Sequence, residues 1–369
     1  NSAPPTISFS AATYSTTENA ASTFTVNATI SRAITNAATV QFSTFTGGTA
    51  TVDANSNSTC DQGDDFLAAS GTLTFPANNA ANQTFTITIC GDTAAAANET
   101  IFIQLTNPTN SSLGTATATL TITNDDGAPS LAVTTSLASP QPEGAAPSDA
   151  TALSFQVTTS VAAENAVTAS CSLNSAGSTT TQGTDYDTLT GTGAVTFTAF
   201  STATQNCYTT NIRGDFLDEN DETIIMNLGS PSPSYVTVGT SSVTFTIQDT
   251  GDAAPNVSLS NTPSSVSESV GTVTINVTLD APSGKTITVN FATSNGTVGT
   301  AATALSDYNP NSGTLTFSPG VQTQSFTVTI IDDTTAGEGS ESIDLTLSSP
   351  VNAAISGAAT RQLYINDND

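Results

Sequence analysis

The 369-residue chain has no histidine, no tryptophan, one methionine and only 4 lysines and arginines together. Each scarcity excludes something. Without histidine, no Ser-His-Asp or Cys-His arrangement can be assembled. Histidine is a principal zinc ligand, and no cysteine falls among the recurring acidic positions, which argues against zinc or another transition metal. Arg32, Arg213, Lys285 and Arg361 are the whole cationic complement, so no basic patch can be built for nucleic acid or an anionic membrane surface. Aromatic residues make up 6% of the chain, too few to signal the sugar-stacking cleft that paired carboxylates would need for glycoside chemistry. Glycine-rich phosphate loops are absent, and no apolar run reaches the roughly 18 residues of a membrane span. The chain is therefore read as a non-enzymatic protein that neither binds nucleic acid nor inserts in a membrane.

Against those four cations stand 31 aspartates and glutamates, for a net charge of -27, although charged residues are only 9% of the chain. The acids are gathered rather than spread. Residues 214–223 read GDFLDENDET and hold Asp215, Asp218, Glu219, Asp221 and Glu222. Carboxylates crowded at one place repel one another unless a cation neutralises them, and this chain has almost no cationic side chains to offer.

Cysteine is scarce as well. Cys60 and Cys90 fall in the first third of the chain, Cys171 and Cys207 in the second, and no CxxC spacing occurs. That pattern speaks against zinc or redox motifs. An even count in each segment predicts the disulfides Cys60–Cys90 and Cys171–Cys207, with buried free thiols as the alternative. Disulfides imply an oxidising, extracellular location, either secreted or at the cell surface. Each would contribute about 2–4 kcal/mol through loop closure. Asn-X-Ser/Thr sequons at Asn27, Asn57, Asn82, Asn98, Asn110, Asn256, Asn276 and Asn295 suit the same compartment.

What the chain has in abundance is repetition. GTLTF at 71–75 returns as GAVTF at 193–197 and as GTLTF at 313–317. Just upstream, an Asp-aromatic pair keeps step: Asp65-Phe66, Asp185-Tyr186 and Asp307-Tyr308. Downstream come an alternating run and a polar or acidic loop: CGDTAAAANET, RGDFLDENDET and IDDTTAGEGSES. Each unit closes on TLTITNDD, TFTIQDTGD or QLYINDND. Three units follow, with boundaries 1–126, 127–251 and 252–369 and short proline-containing linkers, GAPS and DAAPN. NSAPPTISFS at the start is similar to DAAPNVSLS at 252–260, and the closing NDND to the stretch before a linker. The expectation is a segment of a longer array or a protomer that stacks head to tail. Runs such as TFTITI (84–89) and SFTVTI (325–330) alternate apolar residues with threonine, the period-two pattern of half-buried antiparallel strands. No window carries helical spacing with caps. The expected class is all-β, a sandwich in each unit.

The ordered set of motifs resembles the Calx-beta domain, a calcium-binding β-sandwich module. Its elements are an early glutamate (Glu18, Glu143, Glu268), the Asp-aromatic pair, the GTLTF strand, the acidic loop and the acidic strand end. The resemblance spans the chain three times. It implies three immunoglobulin-like sandwiches arranged end to end, seven-stranded and built of antiparallel sheets, with Ca2+ held by loops at one end near the next domain. Calcium takes six to eight oxygen ligands, more than one strand can offer but within reach of converging loops. The implied ligands in unit one are Glu18, Asp65, Asp92, Glu99, Asp125 and Asp126, with Gly91 replacing an aspartate and Ala96 a glutamate. Unit two offers Glu143, Asp185, Asp215, Glu219, Glu222 and Asp249, with Gly214, Thr250 and Gly251 at positions where acids are expected. Unit three offers Glu268, Asp307, Asp332, Asp333, Glu338, Glu341, Asp367 and Asp369. Within GDFLDENDET the ligands narrow to Asp215, Glu219 and Glu222, with a carbonyl near Leu217, leaving Asp218 and Asp221 to solvent. Taken singly, each of these acids reads as a solvated turn residue; the recurring set reads as a cation site. An EF-hand reading of DFLDENDE fails for want of its glycine and because its flanks alternate like strands.

These readings lead to a secreted structural or adhesive protein of calcium-stiffened tandem repeats, the subunit of an extracellular filament or surface layer. It would self-associate head to tail or through edge strands. The alternative is a receptor- or glycan-binding segment of a large calcium-dependent adhesin, recognising a cell-surface or glycan partner. There the non-repeating stretches 53–63 and 230–235 would carry recognition.

Overall fold

The computed structural model describes residues 3–19, 22–144, 150–260 and 262–369; Asn1 and Ser2 of the repeated opening segment lie outside them. Every described element is a strand except one 3-10 turn, Glu268–Val270. Alternation is the reason. In Gln83–Ile89 the side chains of Phe85, Ile87 and Ile89 are buried while the intervening threonines are not. Thr323–Ile330 buries Phe326, Val328 and Ile330 in the same way.

Each unit is a sandwich of two sheets. In unit one, Gln83–Ile89, Ser22–Ile30, Thr6–Phe9 and Ser112–Leu113 form one sheet; Thr13–Thr17, Thr117–Thr123, Glu99–Thr109, Ala38–Phe45 and Ser70–Phe75 form the other. Units two and three repeat this order. The opening strand of each unit splits between the sheets, and its two halves are the main departures from antiparallel pairing. Thr6–Phe9 runs parallel to Ser112–Leu113, and Thr13–Thr17 parallel to Thr117–Thr123. The second half therefore delivers the early glutamate to the end of the closing strand, where Glu18 donates its N–H to the Thr123 carbonyl.

Three separate cores fill the sandwiches. The recurring GTLTF strand supplies each with two buried side chains: Leu73 and Phe75, Val195 and Phe197, Leu315 and Phe317. Its glycine has a packing role. A Cβ on Gly71 would lie 2.9 Å from the Phe42 ring, and one on Gly313 would lie 3.1 Å from the Phe291 ring. Those rings cover the glycines and stack across the sandwich on Phe85 and Phe326, with centroids 4.0 and 4.2 Å apart. In unit two Cys171 stands in the place of Phe42 and Phe291 and donates its N–H to the Gly193 carbonyl at 2.8 Å. Its disulfide to Cys207, with Cα atoms 6.2 Å apart, joins the two sheets where the other units stack aromatics. Cys60–Cys90, with Cα atoms 5.3 Å apart, instead anchors the exposed 53–63 loop to the strand end before the acidic loop. That loop leans over the next unit, since a Cβ on Gly63 would meet the Phe200 ring at 3.4 Å. The 230–235 stretch is tied down by Ser232, which exchanges backbone bonds with Thr168 at 2.9 Å.

Candidate metal centres

At the end of each sandwich where the closing strand finishes, three devices hold the acids in place. The first is the aspartate of the Asp-aromatic pair. Its neighbours Phe66, Tyr186 and Tyr308 are buried in the core, which fixes the backbone on either side. Asp65, Asp185 and Asp307 each accept a backbone N–H on Oδ2, from Thr51, Thr181 and Thr303. Each also accepts, on its carbonyl, the N–H of the residue that opens the acidic loop, at 2.9 Å in all three units. The second is a local turn in the acidic loop. Asp92, Asp215 and Asp333 accept the N–H two residues on, from Ala94, Leu217 and Thr335, at 2.6, 2.6 and 2.7 Å. The third is the strand end. Asn124, Asp249 and Asp367 accept the N–H of Ala96, Glu219 and Glu338 at 3.3, 2.7 and 3.1 Å, closing the acidic loop over the pole.

These supports bring carboxylates together that electrostatics would drive apart. Among the described residues, five groups of three offer oxygens within 4.8 Å of one another: Glu18/Asp92/Asp126, Asp65/Glu99/Glu164, Glu143/Asp249/Asp252, Asp185/Glu219/Glu222 and Glu268/Asp333/Glu338. Several members are deeply placed; Glu18, Glu143 and Glu268 are 9%, 6% and 3% exposed. Burial first, then the neighbouring carboxylates, pushes Glu18 and Glu219 up to about 7 and Glu143 up to about 8. Glu99 and Glu222 rise to about 9 and about 8 through burial and their contacts with Asp65 and Asp185.

A cation is the natural partner for such a set, and the side-chain hydrogen bonding tests whether one fits. Asp126 Oδ2, Glu143 Oε1, Asp249 Oδ1 and Asp252 Oδ2 are buried with no hydrogen-bond partner. Buried acceptors left alone in this way cost about 1–3 kcal/mol each, more when charged, and they face other carboxylates rather than donors. Every donor atom in the groups is an oxygen, which suits a hard cation with a large, adaptable shell. The acids of these poles fit Ca2+ by donor type and by their unsatisfied oxygens.

The profile of the Calx-beta domain matches residues 1–126, 148–251 and 250–369. The chain belongs to the Calx-beta family. Among curated proteins it is 35% identical over 116 residues to the mouse extracellular matrix organizing protein FRAS1, an alignment covering 31% of this chain and 3% of that protein. The chain thus spans a small part of that relative's length. Among solved structures, the apo-form Calx CBD1 domain is 25% identical and covers 31% of this chain and 98% of its own, with a TM-score of 0.29. The tandem CBD12 of CALX1.2 is 14% identical over 98% of this chain and 99% of its own, with a TM-score of 0.26.

Within these Calx-beta repeats, the expected ligands divide by position. Glu18, Asp65, Asp92, Glu99 and Asp126 in unit one, Glu143, Asp185, Glu219, Glu222 and Asp249 in unit two, and Glu268, Asp333 and Glu338 in unit three enter the close groups. Asp307, Glu341 and Asp367 line one small cleft with Glu268 and Glu338. Asp215 sits beside the unit-two groups, where its charge helps raise Glu143 and Glu219. Asp125, Asp332 and Asp369 are exposed and join no close group. One expectation is overturned. Asp218 does not face solvent; it is 5% exposed. It meets unit three, with Lys285 Nζ at 2.7 Å from Oδ1 and the Ser283 hydroxyl donating to its carbonyl at 3.0 Å. Its neighbour Asp221 is exposed, as expected.

Two residues of the close groups, Asp252 and Glu164, lie outside the implied ligand sets. Asp252 falls in the linker DAAPN, past the closing strand. Gly251, at φ 108°, turns the chain in a way that glycine tolerates, and Asp252 reaches the place Asp126 occupies in unit one. Glu164 belongs to a loop of the following unit, so no reading confined to one repeat would reach it. The signal available was the absence of a glutamate at Ala96, paired with a lone acid in the loop that begins the neighbouring sandwich.

Proposed function

We propose that this chain is an extracellular structural or adhesive element in which calcium stiffens a tandem array of Calx-beta sandwiches. The observation that carries the reading is the position of the acidic poles. Those of units one and two are each in backbone contact with the next unit: Ala95 donates to the Ala162 carbonyl at 3.1 Å, and Gly284 donates to the Asp218 carbonyl at 3.1 Å. A cation bound at such a pole restrains a junction as well as a fold. Units one and two each offer two such groups: Glu18, Asp92 and Asp126 would hold one ion in unit one and the group of Asp65 and Glu99 another, while Glu143, Asp249 and Asp252 would hold one in unit two and Asp185, Glu219 and Glu222 another; Glu268, Asp333 and Glu338 would hold one in unit three. The ion supplies charge neutralisation and draws loops together; no bond-making chemistry is involved. The extracellular setting is supported by the two disulfides and by the likeness to the mouse extracellular matrix organizing protein. Assembly into a filament or surface layer, head to tail or through edge strands, is part of the proposal. So are a cell-surface or glycan partner and a solution life away from nucleic acid and membrane.

Thermal unfolding with and without chelator tests the calcium reading. Calcium at about a hundred times its dissociation constant contributes about 2.7 kcal/mol per site, on the order of 10 °C for domains of this size. Unchanged melting on chelation overturns the reading. Sedimentation of concentrated protein in calcium tests assembly, and a strictly monomeric boundary overturns that part.

A further inference from the structure

The two junctions are built alike but carry their carboxylates differently. At each, the loop after the first long strand of one unit lies against the acidic loop of the unit before. At the first junction, Glu164 donates its N–H to the Ala95 carbonyl at 3.1 Å; at the second, Gly284 donates to the Asp218 carbonyl at 3.1 Å. Glu164 and Gly284 are therefore equivalent positions, as are Ala95 and Asp218. The next residue of the acidic loop is Ala96 in unit one and Glu219 in unit two, held by the same strand-end cap.

The exchange is reciprocal. In unit two the close group is Asp185, Glu222 and Glu219, all from one unit. In unit one the corresponding Asp65 and Glu99 are joined by Glu164 of unit two. The space is shared as well. A Cβ placed on Gly284 would lie 2.5 Å from Glu219 Oε1, so the carboxylate of Glu219 occupies the volume that a side chain at position 284 would need. Where the acidic loop has lost its glutamate, the following unit supplies one; where the glutamate is kept, the following unit has a glycine.

We propose that the unit-one cation site of Asp65 and Glu99 is completed in trans by Glu164, so that one ion is held jointly by two sandwiches. This rests on the calcium reading above and goes beyond it: unit one cannot form its full site alone, and filling the site locks the first junction. At the second junction the ion belongs to unit two, and the cross-unit restraint is instead the pairing of Lys285 with Asp218 and Asp249, at 2.7 and 3.5 Å.

The test is local hydrogen exchange on the full chain, read by mass spectrometry with calcium and with chelator, beside calorimetric calcium titration. In the wild type, calcium slows exchange both at 92–99 and at 160–166. Glu164→Gln abolishes the slowing at 160–166 and weakens the unit-one site by about tenfold or more, following the lost ligand charge, without altering calcium protection in unit three. The double variant Ala96→Glu/Glu164→Gly reproduces the arrangement of unit two. It restores calcium protection at 92–99 and leaves 160–166 insensitive, an outcome that a merely structural role for Glu164 would not give. Calcium protection of 92–99 without any at 160–166 in the wild type overturns the proposal, as does unchanged binding by Glu164→Gln. No calcium effect in unit one, with clear effects in the other units, overturns it while sparing the wider calcium reading. No effect in any unit sinks that reading itself.

Discussion

Lys285 is the single lysine of the chain, and its place shows how much one residue can decide. Its ammonium meets Asp218 and Asp249, whose side chains are each 7% exposed, while its own side chain keeps 22%. Asp249 is divided between two tasks: Oδ2 takes the Glu219 N–H and faces Lys285, whereas Oδ1 is buried without a partner beside Glu143 and Asp252. A fixed cation there opposes a second one. Lys285→Met is therefore expected to tighten calcium binding in unit two, on the order of tenfold from Coulomb repulsion removed at short range. The same change is expected to loosen the calcium-free second junction, because it strands Asp218 in a buried place. Calorimetric titration checks the first outcome and hydrogen exchange at 283–285 in chelator checks the second. Weaker calcium binding in Lys285→Met would refute the assignment of opposing roles.

At the scale of the acidic loop and the strands that frame it, the same crowding dictates a pH dependence. In the calcium-free fold, Glu18, Glu143, Glu219, Glu222 and Glu99 titrate at about 7 to about 9 rather than at their ordinary 4.5, chiefly because they are buried. Between those values the folded chain holds protons that the unfolded chain has released. Stability is present in full below about pH 4.5 and is lost as pH rises through 7 to 9. Melting temperature in chelator is expected to fall steadily from pH 5 to pH 9, whereas saturating calcium flattens or reverses the slope, since the ion replaces the protons. A rise of melting temperature with pH in chelator would contradict the burial of these glutamates. The loops also show why some of the site was legible in sequence and some was not. Period-two alternation marks Gln83–Ile89 and Thr323–Ile330 as strands, because a half-buried sheet face demands it. The Asp-aromatic pair marks the pole, because Phe66, Tyr186 and Tyr308 must be buried for the aspartate beside them to be fixed. Glu164 and Asp252 leave no such trace. Their roles depend on contact between units and on a turn at Gly251, and neither recurs as a motif. The buried place of Asp218 leaves no trace for the same reason: its partner lies 67 residues downstream in another sandwich.

Across the whole molecule, the two junctions are expected to respond to salt with opposite sign. The first brings Asp65, Glu99 and Glu164 together, with Glu18 and Asp92 close enough to add their repulsion. Without calcium, once these glutamates have released their protons near pH 9, this contact holds like charges against each other, and salt should relieve it, because the screening length falls to about 4 Å at 0.5 M. The second junction is drawn together by Lys285 with Asp218 and Asp249, an attraction that the same salt weakens. Limited proteolysis with a broad-specificity protease separates the two, since the linkers at 127–129 and 252–255 lie between strands. In chelator at low salt and about pH 9, cleavage is expected first at 127–129, and either calcium or 0.5 M sodium chloride slows it. Cleavage at 252–255 starts slow and speeds up several-fold as salt rises, while Lys285→Met cleaves there quickly at every salt concentration. Equal salt responses at the two linkers would mean that neither the shared carboxylates nor the lysine governs how the sandwiches are held, and that backbone contacts alone set the stiffness of the array.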